Sequence, residues 1–451
     1  MTSTASDLGQ GGPDLAALVE AVSATRMHAV VCELAGDRYA GRRVGTSGGR
    51  AAATWLAARL GELGAQVQLS DFDVVGVREL YATPVLEWTG AGQTRRLEHR
   101  RDFVEHLASA ELPHPRSAIL VKVPETGDAD GSGTGLRERW VLAEAANWGR
   151  ACELAEAQGA AGVLTVRGTD AEGWMPKMIA GPPARAVPII AVHPEVHRRL
   201  AEALDGGPVQ VTGSMPLRQI ATRGRNIYAR LTRLPGTETG TETGTGTGTG
   251  TGTEVGGHRG GNAHGGGQAG LRVLLSAHYD GVGDDPDRRL PAAADNASGV
   301  AAVLEAARVL AAAPPPRVPE LTVAFLDAEE AGAWGSAHNA PTLPPDTLVI
   351  NLDGAAHLHQ AAAVEAGGPA HALLATLDQA ARLTGVPLRA GAMASDNRRY
   401  AAAGLAAIGI GMGMPGYQTP AETPDRVQPD TLVAAARLLV ATVWLLAAQR
   451  A

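Results

Sequence analysis

Aromatic residues are scarce in this chain: phenylalanine, tryptophan and tyrosine together make up 4% of 451 residues. Its cores must therefore be packed mainly with Ala, Val and Leu. Cysteine is nearly absent, with only Cys32 and Cys152, far apart. That excludes a disulfide framework and a Cys-rich zinc site. No run reaches the ~18 consecutive apolar residues of a membrane span, so no membrane partner is expected. The opening, MTSTASDLGQGGPDLAALVEAV, lacks a basic stretch followed by an apolar one. This argues against a signal peptide and predicts a cytoplasmic location. Basic charge is also in deficit: a net charge of −8 and a pI near 5.9 argue against a nucleic-acid binder, whose footprint is basic.

The remaining composition is ordinary, at 45% hydrophobic and 19% charged, and the length suffices for two cores. Residues 1–13 read as a disordered tail. Apolar residues recur at helical spacing from Asp14 to Leu34, DRYAGRRVGTSGG reads as a polar loop, and GRAAATWLAARLGELGAQV as an amphipathic helix closed by Gly64. Between 79 and 218 the pattern changes to short strand-like runs (SAILVKV, AGVLTVR, VPIIAVH) around one Ala-rich helix. This predicts a compact α/β insertion with its own core, interrupting a main domain made of 14–78 and 219–451. His193 and His197 flank a helix start and take no chemical role. Residues 235–270 form a Gly/Thr-rich repeat, predicted to be a flexible loop, and its His258 and His264 are too loosely spaced for a metal site. The loop is expected to join neighbouring strands, Ile227 to Leu231 and Val273 to Leu275, as a swollen hairpin connection.

The most informative stretch runs from Leu271 to Asp353. Three apolar runs, Val273 to Leu275, Leu321 to Leu326 and Leu348 to Leu352, each end in acidic residues or a histidine. Such runs alternating with a helix-like segment predict buried strands of a doubly wound, mostly parallel α/β sheet. Ligands bind such sheets outside the carboxyl ends of the strands. His278, Asp280, Glu329, Glu330 and Asp353 fall there, and Asp295 opens the intervening helix. Hydrolysing a peptide bond near neutral pH needs a strong nucleophile and a polarised carbonyl, and zinc supplies both. His278 suits a neutral imidazole ligand, and Asp280, two residues on, can orient its ring. Asp295 offers two oxygens to bridge two ions. Of the adjacent Glu329 and Glu330, one can ligate while the other faces the water as general base. After Asp353 the chain gives a helix at His371 to Leu383, another around SDNRRYAAAG, a strand of small apolar residues, and a final helix apolar nearly all round, expected to be buried.

At these residues the chain resembles the co-catalytic zinc aminopeptidases, the family of bacterial leucyl aminopeptidases and glutamate carboxypeptidase. AHYDGVG is similar to its His-x-Asp motif, AADNASGVAAVLE to its Asp-Asn-x-Ser-Gly motif, DAEEAGAWGS to its Glu-Glu-x-Gly…Gly-Ser motif, and INLDG to its Asn-x-Asp motif. The 79–218 insertion resembles a protease-associated (PA) domain. The resemblance implies a doubly wound α/β zinc-exopeptidase domain interrupted by that module, two zinc ions and a peptide substrate. By position, it implies that His278 and Asp353 hold one zinc, Glu330 the other, and Asp295 bridges. It also implies Glu329 as general base and Asp280 as partner of the ligands. One departure stands out: the segment YQTPAETPDRV places Gln418 where the family has its last ligand histidine. A neutral amide oxygen is a much poorer zinc ligand than imidazole. Glu422 stands where the family has Asp. His338, His357 and His359 have no positional support as substitutes. The expected function is a zinc-dependent aminopeptidase with a weakened second site. The alternative is a catalytically impaired member acting as a peptide-binding or interaction protein.

Overall fold

The computed structural model of the protein describes residues 14–123, 135–231, 270–315 and 319–449. The expected disordered tail, and the Gly/Thr-rich loop with His258 and His264, fall on residues 1–13 and 232–269, outside this set. Helices α1 (Leu15–Glu20), α2 (Ala24–Leu34) and α3 (Ser47–Glu62) lead into strand β1 (Gln66–Leu80). Next come β2 (Leu86–Gly90), β3 (Gln93–Arg96), β4 (Phe103–Glu105), β5 (Leu112–Lys122), β6 (Trp140–Leu142), α4 (Trp148–Gln158), β7 (Gly162–Val166), β8 (Ile189–Val192), α5 (Pro194–Asp205) and β9 (Gln210–Met215). The chain returns along β10 (Leu217–Leu231) to β11 (Arg272–His278), α6 (Gly299–Ala312), β12 (Glu320–Leu326), α7 (Trp334–Asn339) and β13 (Leu348–Leu352). It closes with β14 (Ala362–Gly367), α8 (His371–Thr384), β15 (Leu388–Ala390), α9 (Asn397–Ala402), β16 (Ala406–Gly411) and α10 (Pro429–Gln449).

The main sheet has the order β1-β10-β12-β11-β13-β16-β14-β15. Its centre, β12-β11-β13-β16, is parallel throughout, and the antiparallel joints β10–β12 and β16–β14 flank that centre. Helices cover both faces. α1, α2, α3, α6, α8 and α10 pack on one, and α7 and α9 on the other. Along β11, Val273, Leu275 and Ala277 meet the first group while Leu274 meets the second. A strand covered on both sides has no polar face to present, which is why it reads as one apolar run. α10 has a mean hydropathy of 2.0 and is long and apolar enough by composition to cross a membrane. Here it packs against α1, α2, α6 and α8, burying residues from Thr431 to Ala447 as a core helix.

Two expectations change. The stretch Asp14 to Leu34 is two helices, because Ser23 breaks it and caps α2 by accepting from the Arg26 amide. β10 and β11 are not a hairpin: β12 lies between them, antiparallel to β10 and parallel to β11. A long connection imposes no adjacency on the strands it joins. The two-sided burial of β11 favours a central place between parallel neighbours.

A second sheet, β3-β2-β9-β5-β6-β7-β8-β4, forms between β1 and β10. It is organised around the fully buried Trp140. Gly162 and Gly213 make room for that ring: a Cβ on Gly162 would come within 2.2 Å of it. His193 caps α5 by accepting from the Glu195 amide, and His197 lies buried 3.2 Å from the Ala143 carbonyl.

Candidate active site

The carboxyl ends of the parallel strands converge on one cluster. His278 closes β11, and Asp280 follows it, both buried. Glu329 and Glu330 sit in the turn after β12, Asp353 follows β13, and Asp295 occupies the irregular turn before α6. His278 Nε2 lies 3.1 Å from Asp295 Oδ1 and 3.2 Å from Asp353 Oδ1. The three residues each bring a donor atom within 4.8 Å of the others. One imidazole with two carboxylates is a donor set zinc accepts, so these residues fit that ion.

Neighbouring groups hold this geometry. On its other side the His278 ring faces Asp280, with Nδ1 3.2 Å from the carbonyl oxygen and 3.5 Å from Oδ1. The Asp280 carboxylate also accepts from the amides of Glu329 and Glu330 at 3.0 and 3.2 Å. One side chain thus ties the β11 tip to the β12 tip. Asn296 ties the α6 turn to the β13 tip: its amide donates to the Leu352 carbonyl at 2.9 Å, and its Oδ1 accepts from the Gly354 amide at 2.9 Å. Glu422 joins the last loop to the same turn, accepting from the amides of Asp295 at 2.6 Å and Gln418 at 2.7 Å. Gln418 therefore reaches the cluster, and its Nε2 donates to Glu330 Oε2 at 2.5 Å.

The electrostatics are those of too much negative charge in one place. Burial pushes Glu329 well above the usual carboxylate range, with Asp353, Asp396 and Asp295 adding to it and His278 opposing. Glu330 is raised by burial, then by Asp295 and Glu329. Asp396, which the sequence did not single out, is fully buried and pushed up to about 7 by burial, reinforced by Asp280 and Asp353. His278 is raised well above the ordinary imidazole value: burial works against its charge, but Asp353, Asp280 and Asp295 outweigh it. Asp353 is lowered because His278 outweighs its burial. Without a cation, protons keep this cluster together, and a divalent ion can take their place.

Arg42 was read as part of a polar loop, yet its side chain is fully buried and donates to the carbonyls of Leu34, Tyr279, Pro291 and Ala292. Its charge faces Glu422, Asp280, Asp295 and Glu330 from below. Nothing in GRR marks Arg42 off from Arg43, so no sequence signal was available. A cavity of about 670 Å³ opens onto Asp295, Glu329 and Asp353, walled by Met393, Met412, Met414, Tyr417 and Arg389. His357 and His359 also line it, their rings 3.9 Å apart, although their positions gave no such support. His338 lies elsewhere, stacked on Phe72 and 3.0 Å from Ser70 Oγ.

Residues 261–443 match Peptidase family M28. No curated protein matches the sequence significantly. Among solved structures, the fold is similar to that of an aminopeptidase from Aneurinibacillus sp. strain AM-1 (TM-score 0.63, 19% identity, covering 96% of this chain and 95% of the other). It is equally similar to BSAP, a zinc aminopeptidase from Bacillus subtilis (0.64, 19%, 94% and 95%). A Peptidase M28 precursor from Shewanella amazonensis SB2B gives 0.66 at 18% identity, covering 96% of each chain.

Proposed function

We propose that this chain, which matches Peptidase family M28 over residues 261–443, is a zinc-dependent aminopeptidase that removes N-terminal residues from peptides. The observation that carries the reading is His278, Asp295 and Asp353 gathered within 4.8 Å beside a half-buried glutamate that opens onto a cavity. His278, Asp295 and Asp353 would hold zinc, which when bound polarises the scissile carbonyl and makes a water acidic enough to attack at neutral pH.

The chain's own groups supply the rest. Glu329 takes a proton from the attacking water and returns it to the departing amine. Its raised proton affinity, due first to burial, suits a group that must do both. Asp280 fixes the His278 ring and, through the two amides it accepts, the turn that aims Glu329. The methionine-lined cavity receives the terminal side chain, and Arg389 adds a basic group to its wall. Residues 79–218 are read as an inserted unit of the PA kind packed over the strand tips.

The second reading, an impaired relative that binds peptides without cleaving them, is favoured by one contact: Gln418 occupies Glu330 with a hydrogen bond. Zinc-loaded protein assayed on aminoacyl-anilides, with N-acetylated anilides as control, separates the two. Turnover restricted to substrates with a free amine is expected. Peptide binding with one or more zinc ions bound and no turnover would establish the second reading.

A further inference from the structure

We infer that the two cation positions of this site are unlike: zinc on His278, Asp295 and Asp353, and beside it an all-oxygen position on Asp295, Glu330 and the Gln418 side-chain carbonyl that takes a hard divalent cation such as manganese instead of a second zinc. This rests on the reading of the cluster as a metallopeptidase centre.

The second position is built, and its chemistry follows from its atoms. Gln418 is only 3% exposed. Its backbone sits at a φ of 54°, a conformation non-glycine residues rarely adopt without support. Glu422 supplies that support by accepting from its amide at 2.7 Å, and Lys177 by donating its own amide to the Gln418 carbonyl at 3.0 Å. The side chain so aimed meets Glu330, which in turn contacts Asp295. Among the described residues, Glu330 Oε1 and Gln418 Oε1 are both buried and neither accepts a hydrogen bond. Leaving a buried acceptor unmet is destabilising. Two such oxygens, on side chains that touch each other and adjoin a carboxylate, are what a cation would satisfy.

Among the described residues, no nitrogen or sulfur ligand completes that position. The His278 ring is committed to Asp295 and Asp353 on one side and Asp280 on the other. His338 is stacked on Phe72, while His357 and His359 lie outside the group of close donor atoms. Zinc prefers imidazole and thiolate, whereas carboxylate and amide oxygens suit magnesium, calcium and manganese. The two ends of the amide exchange by rotation about its last bond. Gln418 can therefore donate to Glu330 when no cation is there and present its carbonyl when one is. The second cation should accordingly be held weakly and exchange freely.

The test is stoichiometry, independent of turnover. Chelator-stripped protein is reloaded with zinc, desalted and measured by elemental analysis, then titrated with manganese followed by electron paramagnetic resonance. Expected are one zinc and one further manganese per chain. Glu330→Gln should keep the zinc and weaken manganese at least about 10-fold, and Gln418→His should retain two zincs, each variant checked for folding by circular dichroism. Two zincs retained by the unaltered protein, or manganese bound as tightly by Glu330→Gln, would overturn the inference. The predicted stoichiometry without anilide hydrolysis would leave it standing and sink the peptidase reading; hydrolysis with two retained zincs would do the reverse.

Discussion

At the scale of single residues, the proposed function gives Glu329 and Asp280 different tasks. Glu329 lines the cavity, so its replacement should touch turnover alone. Glu329→Gln is expected to lower kcat by about 10²–10⁴-fold, the usual span for a positioned acid–base group, with zinc content unchanged by elemental analysis. Asp280 is fully buried and on the same reading would act through His278 and two amides. Asp280→Asn should weaken zinc by about 10–100-fold, read by competition with a chromophoric chelator, and excess zinc should restore part of the activity. Loss of kcat at saturating zinc, with affinity unchanged, would place Asp280 in the chemistry itself.

At the scale of elements, the second sheet is fastened to the strand tips by a buried ionic cluster. Arg100 lies in the turn before β4 and donates to Asp285 at 2.7 Å and to Glu105 at 2.9 Å. Lys177 donates to the carbonyls of Gly283 and Asp284 at 2.9 and 3.0 Å. These contacts fix the loop that leaves Asp280, and the Lys177 backbone also holds Gln418. Removing one member strands buried charge, so Arg100→Met should destabilise by about 3–5 kcal/mol, seen as a lower midpoint in denaturant unfolding. Burial pushes the Asp285 carboxyl up, but Arg100 by charge and hydrogen bond, then Lys177 and His99, hold it well below the ordinary range. Its proton affinity is thus lower folded than unfolded. The stability it contributes is complete above the unfolded value near ~4 and is lost as pH falls through the folded one. Asp285 should therefore contribute no pH dependence to Tm between about pH 8 and 5 and a fall in Tm in acid. Asp285→Asn should flatten the acid limb.

For the whole molecule, bound cations and folding are linked. Six carboxylates, Asp280, Asp295, Glu329, Glu330, Asp353 and Glu422, share the tips of one sheet with one imidazole. A cation that binds only the folded chain stabilises it by about 2.7 kcal/mol at a free concentration one hundred times its Kd. Chelation should therefore lower Tm and zinc should restore it, with proton release on rebinding because the raised carboxyls must ionise. A Tm indifferent to chelator and zinc would mean that the cluster holds no ion in the native state.

The sequence by itself determined which residues stand at the strand tips. Apolar runs buried on both faces must be central strands, and whatever follows them must emerge at the carboxyl edge, so His278, Glu329, Glu330 and Asp353 were legible from pattern alone. Only the tertiary structure decided which strands are neighbours, because a long connection leaves pairing open and β12 took the place beside β10. It also decided the parts contributed from far away in the chain. Arg42 beneath the carboxylates, Asp396 beside them, the Lys177 contact to Gln418 and the two histidines of the cavity wall carry no local periodicity. Burial and charge at such positions come from what packs against them, and a single stretch of sequence does not contain its neighbours.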